Sequence, residues 1–189
     1  GKYDYTQYKN IDHPKAGEVS TEDGLKQNNT LDDIVLNFQF NITTTSKNGE
    51  PSKTSDTQGF TVTVNDSTPL ANNQDLIVYE DNTLQFVLSD GAFKNGKIEI
   101  DNNDGNGFKE YSTNDTVTIY EGSKEVGLKE VGTIQILEEG KLEFKPVEDY
   151  SKYDTSDKNK LPNFKYKVSD TDGDYAEGKV NIEVKPVAD

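Results

Sequence analysis

The 189-residue sequence predicts an all-β protein built of antiparallel β-sandwiches in tandem. Three observations predict it. Apolar residues recur at alternate positions in run after run, the period at which the side chains of a half-buried strand face one layer. The runs are short, bounded by Gly, Pro, Asn and Asp, and no stretch keeps a helical period. The order of runs near the N-terminus repeats that near the C-terminus, as in an array of similar units.

Only 31% of residues are apolar and 29% are charged, a balance that alone leans towards disorder. The periodicity opposes disorder, so thin two-layer sandwiches are expected, without a bulky helical core. The net charge of −15, from 35 acidic and 20 basic residues, disfavours phosphate backbones and nucleic acid as a partner. It suits cations, and self-repulsion should make a metal-free form less stable than a loaded one. With no Cys there is neither a disulfide framework nor a thiolate zinc site, and calcium can do the stapling. No apolar run approaches the roughly 18–20 residues of a membrane-spanning helix, and no signal peptide opens the sequence. A soluble fragment is expected, without membrane insertion, its export address elsewhere in a parent protein.

In chain order, Tyr3 and Tyr5 alternate with Lys2, Asp4 and Thr6 in a first strand over residues 1–6. A polar loop then runs to Asn29. It contains His13, the single histidine, which lacks the partners that catalysis or zinc would need. From Leu31 the alternation resumes, with Ile34, Leu36, Phe38, Phe40 and Ile42 on one face. Thr43 to Gln58 reads as a polar hairpin loop, and Phe60, Val62 and Val64 as the return strand. Turn residues and a proline over Asn65-Asp66-Ser67-Thr68-Pro69 mark a boundary between units 1–67 and 68–189. Eight strands are expected in the second unit, near 76–79, 84–88, 97–100, 117–120, 132–137, 141–145, 163–169 and 178–185, with a hairpin at Glu138-Glu139-Gly140.

Residues 1–5 correspond to 140–144, Phe38–Ile42 to Phe164–Val168, and Phe60–Val64 to Val180–Val184. The first unit therefore reads as the C-terminal half of a domain whose complete relative is the second.

Two loops carry candidate metal ligands. Asp170, Asp172 and Asp174 stand at alternate positions between the last two strands. Three such carboxylates repel one another unless a cation sits among them, and calcium, a hard ion taking oxygen ligands, suits them. The same letters also make an ordinary solvated turn. Asn102, Asp104 and Asn106, with Gly107 after them, have the spacing of the first half of an EF-hand loop. Thr113 stands where the bidentate Glu belongs and no helices flank the loop, so an Asn/Gly-rich turn is the alternative; Asp101 could replace one ligand.

Leu142-Glu143-Phe144-Lys145-Pro146, Asp149-Tyr150, the run Phe164 to Asp174, the closing Val180 to Asp189 and the opening Val78 to Leu84 together carry a resemblance. They resemble the Ig-like and cadherin-like tandem repeats, including the VCBS type, of very large bacterial RTX surface adhesins exported by type I secretion. Asp12-His13-Pro14, Asn29-Thr30-Leu31 and Asp66-Ser67-Thr68-Pro69 are similar to the same family. The loop equivalent to 170–174 is Thr43-Thr44-Thr45-Ser46-Lys47, which has no carboxylate, and no site is carried over to it.

The resemblance implies Ig-like or cadherin-like sandwiches with calcium at the joints, where Asp66 would meet Glu80 or Asp81. Either of the last two could also complete a shell at 170–174. The function it implies is a non-catalytic, calcium-stiffened extender on the bacterial cell surface, supporting adhesion or biofilm formation, with neighbouring repeats as partners. The alternative is a glycan- or peptide-binding module using Tyr111, Tyr120, Tyr150, Tyr153 and Tyr175 as a stacking face. Nothing marks a raised-pKa acid in an apolar pocket, so no enzyme is expected.

Overall fold

The computed structural model describes residues 19–20, 24–28, 33–44, 53–65, 69–153, 157–170 and 173–187. The expected strand over 1–6 and His13 lie outside them, as do Asp66 and Asp172. The N-terminal segment contributes β1 (Val19–Ser20), β2 (Lys26–Asn28), β3 (Ile34–Phe40), β4 (Thr43–Thr44), β5 (Lys53–Thr54) and β6 (Gln58–Val64). β3 pairs with β6 and, inside the loop between them, β4 pairs with β5. β1 and β2 form a hairpin where a loop was expected.

From Gln74 the chain forms β7 (Gln74–Tyr79), β8 (Leu84–Val87), β9 (Lys97–Asp101), β10 (Lys109–Ser112), β11 (Thr116–Ser123), β12 (Gly127–Ile136), β13 (Lys141–Pro146), β14 (Asn163–Ser169) and β15 (Tyr175–Lys185). One sheet runs β10-β9-β14-β15, with β7 parallel to the second half of β15; the other runs β11-β12-β13-β8. The chain changes sheet after β7, returns at β9, crosses again at β11 and returns at β14. That is the Greek-key order of an Ig-like sandwich. The all-β expectation holds, and each of the eight expected strands is present. β10 was not anticipated, nor was the extension of β11 and β12 past Tyr120. Among the described residues, no helix is long and apolar enough to cross a membrane.

The alternation read from the sequence decides which side chains meet. Ile98, Ile100, Phe164, Tyr166, Val168, Val180, Ile182 and Val184 face inward from one sheet, and Val117, Ile119, Val131, Ile134, Ile136, Leu142 and Phe144 from the other. All are buried. Each such side chain contributes about 1.5–3 kcal/mol by leaving water. The paired strands β12 and β13 pack so closely at Gly132 that a Cβ there would lie 2.4 Å from the Lys145 carbonyl and 2.6 Å from the Phe144 ring.

The β3–β6 ribbon repeats the β14–β15 pairing. Phe38 stands opposite Phe60 in one, and their sequence equivalents Phe164 and Val180 stand opposite each other in the other. The surroundings differ. Phe38 and Phe60 stack with centroids 5.0 Å apart and are 40% and 39% exposed, whereas Phe164 is 1% exposed beneath the facing sheet.

Candidate metal loops and the unit junction

The hairpin joining β14 to β15 is closed by backbone geometry. The Asp170 N–H donates to the Asp174 carbonyl at 3.1 Å, and Gly173 takes a φ of +103°, a region open to glycine. Asp170 Oδ1 accepts from the Gly173 and Asp174 N–H groups at 3.1 and 2.9 Å. That carboxylate therefore acts as an Asx-type cap on the turn. Asp174 is buried, and a buried carboxylate needs partners to offset its lost hydration. Carboxylates at alternate sequence positions of one short turn are oxygen donors of the kind a hard cation takes.

The loop between β9 and β10 is organised differently. Asn102 continues the inward row of Ile98 and Ile100, is buried, and donates from Nδ2 to the Thr118 carbonyl at 2.7 Å. It ties β9 to β11 instead of facing the loop. Asn103 donates to the Tyr120 carbonyl at 3.1 Å, and its own N–H is held by Asp101 Oδ1 at 3.0 Å. Asp104 accepts from the Asn106 N–H at 2.8 Å and from Lys109 Nζ at 2.6 Å. Lys124 Nζ reaches Asn106 Oδ1 at 2.5 Å and the Gly105 carbonyl at 3.2 Å. The Lys109 hydrogen bond lowers the Asp104 pKa to about 2. Two ammonium groups thus occupy the oxygens that the EF-like spacing offered to calcium. Asn102, Asp104, Asn106 and Asp101 do not converge into a cation shell, because one is a core tie, one caps a turn and two are engaged by lysines.

Glu80 and Asp81 lie at the opposite end of the sandwich from the 170–174 hairpin. Tyr79 is level with Lys185, at the far end of β15 from Tyr175, a separation of about 33 Å at the usual strand rise. Neither can complete a shell there. Glu80 instead secures the chain as it leaves β15: its Oε1 accepts from the Val187 N–H at 2.9 Å and its N–H donates to the Lys185 carbonyl at 3.0 Å. Asp81 is exposed in the turn after β7. Among the described residues, no group of three or more Asp, Glu or His side chains is placed to hold a metal ion.

Comparison with protein-family models, curated proteins and solved structures finds no match.

The five tyrosines do not share a face. Tyr150 is buried in the core beneath the Lys129 ammonium, 4.7 Å from its ring, and burial pushes its phenol well above the ordinary range. Tyr111 stands opposite Ile98 and packs against the core. Tyr153 is 58% exposed, and Tyr175 shares the Lys167 ammonium with Phe108, at 4.6 and 4.5 Å from the two rings. A continuous sugar-stacking platform is therefore absent from this set. The sequence reading missed Lys109, Lys124 and Lys167. A lysine a few residues after an acidic turn was the available signal for Lys109; the other two are brought in by tertiary pairing.

Proposed function

We propose that this segment is a non-catalytic structural extender of tandem β-sandwich units, belonging to an extracellular adhesin of a bacterial cell surface. The observation that carries the reading is the repeated register: Phe38 opposite Phe60 reproduces Phe164 opposite Val180, so one hairpin design occurs twice in the chain. A repeated unit whose conspicuous contacts are structural suits spacing and presentation of something carried elsewhere in the protein. The strongly acidic balance suits exposure to an ionic medium containing divalent cations. Calcium is assigned to the 170–174 hairpin alone, through Asp170, Asp172 and Asp174, where it would cancel carboxylate repulsion and fix the turn. Neighbouring repeats are the partners this role requires.

A calcium titration followed by thermal unfolding tests the metal part. Added calcium should raise the melting temperature, and Asp170→Asn/Asp174→Asn should remove the response. A melting temperature indifferent to calcium and to chelator overturns calcium at the hairpin. Small-angle scattering tests the extender part, with an elongated particle expected and a single compact one contradicting it.

A further inference from the structure

The connection from Tyr5 to Phe38 is longer than its repeat counterpart from Phe144 to Phe164, and the surplus contains β1 and β2. This inserted hairpin pairs with a strand of the following unit. β2 lies antiparallel on β15, with Asn28 opposite Tyr175 and Gln27 opposite Ala176. Gly24, at φ +70°, turns the chain into it, and Leu25 is buried at 5% exposure. The Lys26 N–H donates to Glu177 Oε2 at 3.0 Å.

Glu177 makes the contact informative. Its neighbours Ala176 and Gly178 are buried in the inward row, so its own side chain projects from the outer face of the sheet, where a carboxylate ordinarily sits in water. Yet Glu177 is 7% exposed. The arm carrying Leu25 and Lys26 borders it, beside its register partner Lys167, and supplies a backbone N–H to the buried charge. Further along the same edge the Lys179 N–H donates to Asn73 Oδ1 at 2.9 Å, and β7 pairs from Val180 to Lys185. The outer edge of β15 is thus divided between two short strands, one from its own unit and one from the unit before. An open edge is a template for strand addition, and here a strand of the same chain takes it.

We propose that the β1–β2 hairpin is a clasp between successive units: an insertion in one adds a strand to the free stretch of the next unit's last strand and fixes their relative orientation without metal. The proposal rests on the tandem-unit reading and adds a joint made of backbone pairing.

The absence of cysteine allows a clean test in the full chain. Spin labels at Thr61→Cys on β6 and Lys145→Cys on β13, both exposed, report the distance between the units. The expected distance distribution is narrow with calcium and stays narrow with chelator. Gln27→Pro, which fixes φ and removes an N–H, should broaden it, as should Leu25→Asp; Gln27→Ala should not. In both disrupting variants, amide exchange over Tyr175–Glu177 should quicken roughly tenfold, the equivalent of about 1.4 kcal/mol, while the core tyrosine circular dichroism stays unchanged. A narrow distribution and slow exchange that survive Gln27→Pro overturn the clasp. A distribution that narrows only with calcium also overturns it but leaves a metal-stiffened array standing. One that is broad under every condition overturns both.

Discussion

Tyr166 lies across Gly178. The two are register partners in β14 and β15, and a Cβ on Gly178 would stand 2.4 Å from the Tyr166 ring. The ring passes over the glycine so that its hydroxyl reaches Ser89 Oγ at 2.7 Å, the Asn72 carbonyl at 2.8 Å and the Asn72 N–H at 3.1 Å. One core side chain thereby fixes the segment through which the chain enters β7.

Gly178→Ala should destabilise the sandwich by about 1–3 kcal/mol, because either the ring or β15 must shift. Tyr166→Phe keeps the packing and removes the hydroxyl, at a predicted cost of about 1–3 kcal/mol from polar groups left without their partner. Urea denaturation measures both. If Gly178→Ala is neutral, the close approach is not a constraint.

Asp104 provides the pH test. Lys109 lowers its pKa from 3.8 to about 2, so the stability it contributes is present above its unfolded value and is lost as pH falls through the folded one. Exposed pairs of this kind are worth about 0.2–1 kcal/mol. Asp104→Asn should therefore cost at most about 1 kcal/mol at neutral pH, with the difference closing between pH 4 and 2. A difference that widens on acidification contradicts the assignment.

Phe38 and Phe164 hold equivalent places in the repeat but differ in burial, so alanine should cost them different amounts. Phe164→Ala should lose about 3–5 kcal/mol, a core deletion. Phe38→Ala should lose only about 0.5–1.5 kcal/mol, chiefly its stacking on Phe60. Equal losses in denaturant unfolding would mean that the ribbon face is covered in solution.

Lys167 shares its ammonium between Phe108 and Tyr175, which joins the β9–β10 loop to the start of β15. Lys167→Gln should cost about 0.5–1 kcal/mol, and Lys167→Arg should retain most of the stability. Chemical denaturation of the two variants distinguishes this role from a freely solvated lysine, for which neither change would matter.

The sequence was most legible where strands bury one face. Phe164-Lys-Tyr-Lys-Val and Val180-Asn-Ile-Glu-Val state their own direction, because a slip of one residue would put Lys165 and Lys167, or Asn181 and Glu183, in the core. β10 was illegible because Lys109-Glu110-Tyr111-Ser112 offers a single large apolar residue. The outer parts of β11 and β12, from Gly122 to Glu130, are exposed and need no apolar row. β2 is three polar residues held by the edge of β15, a tertiary contact without local signal. The acidic spacings at 101–106 and 170–174 were legible as candidate sites. Their partners were not: sequence spacing does not report that Lys124 arrives from the β11–β12 turn, or that β15 separates Glu80 from the hairpin.

The parallel pairing of β7 with β15 bears on how the unit meets a pulling force. The chain enters at Gln74, beside Val180, and leaves at Lys185, beside Tyr79. Tension on the two ends therefore drags the first and last strands past each other lengthwise, so the evenly spaced bonds between them are strained together instead of opening one after another. Lys152 bonds to Val184 from the other side, at 2.9 and 3.0 Å, and shares that strain. Such a sandwich yields in shear and resists peeling, which is the behaviour the proposed extender role calls for.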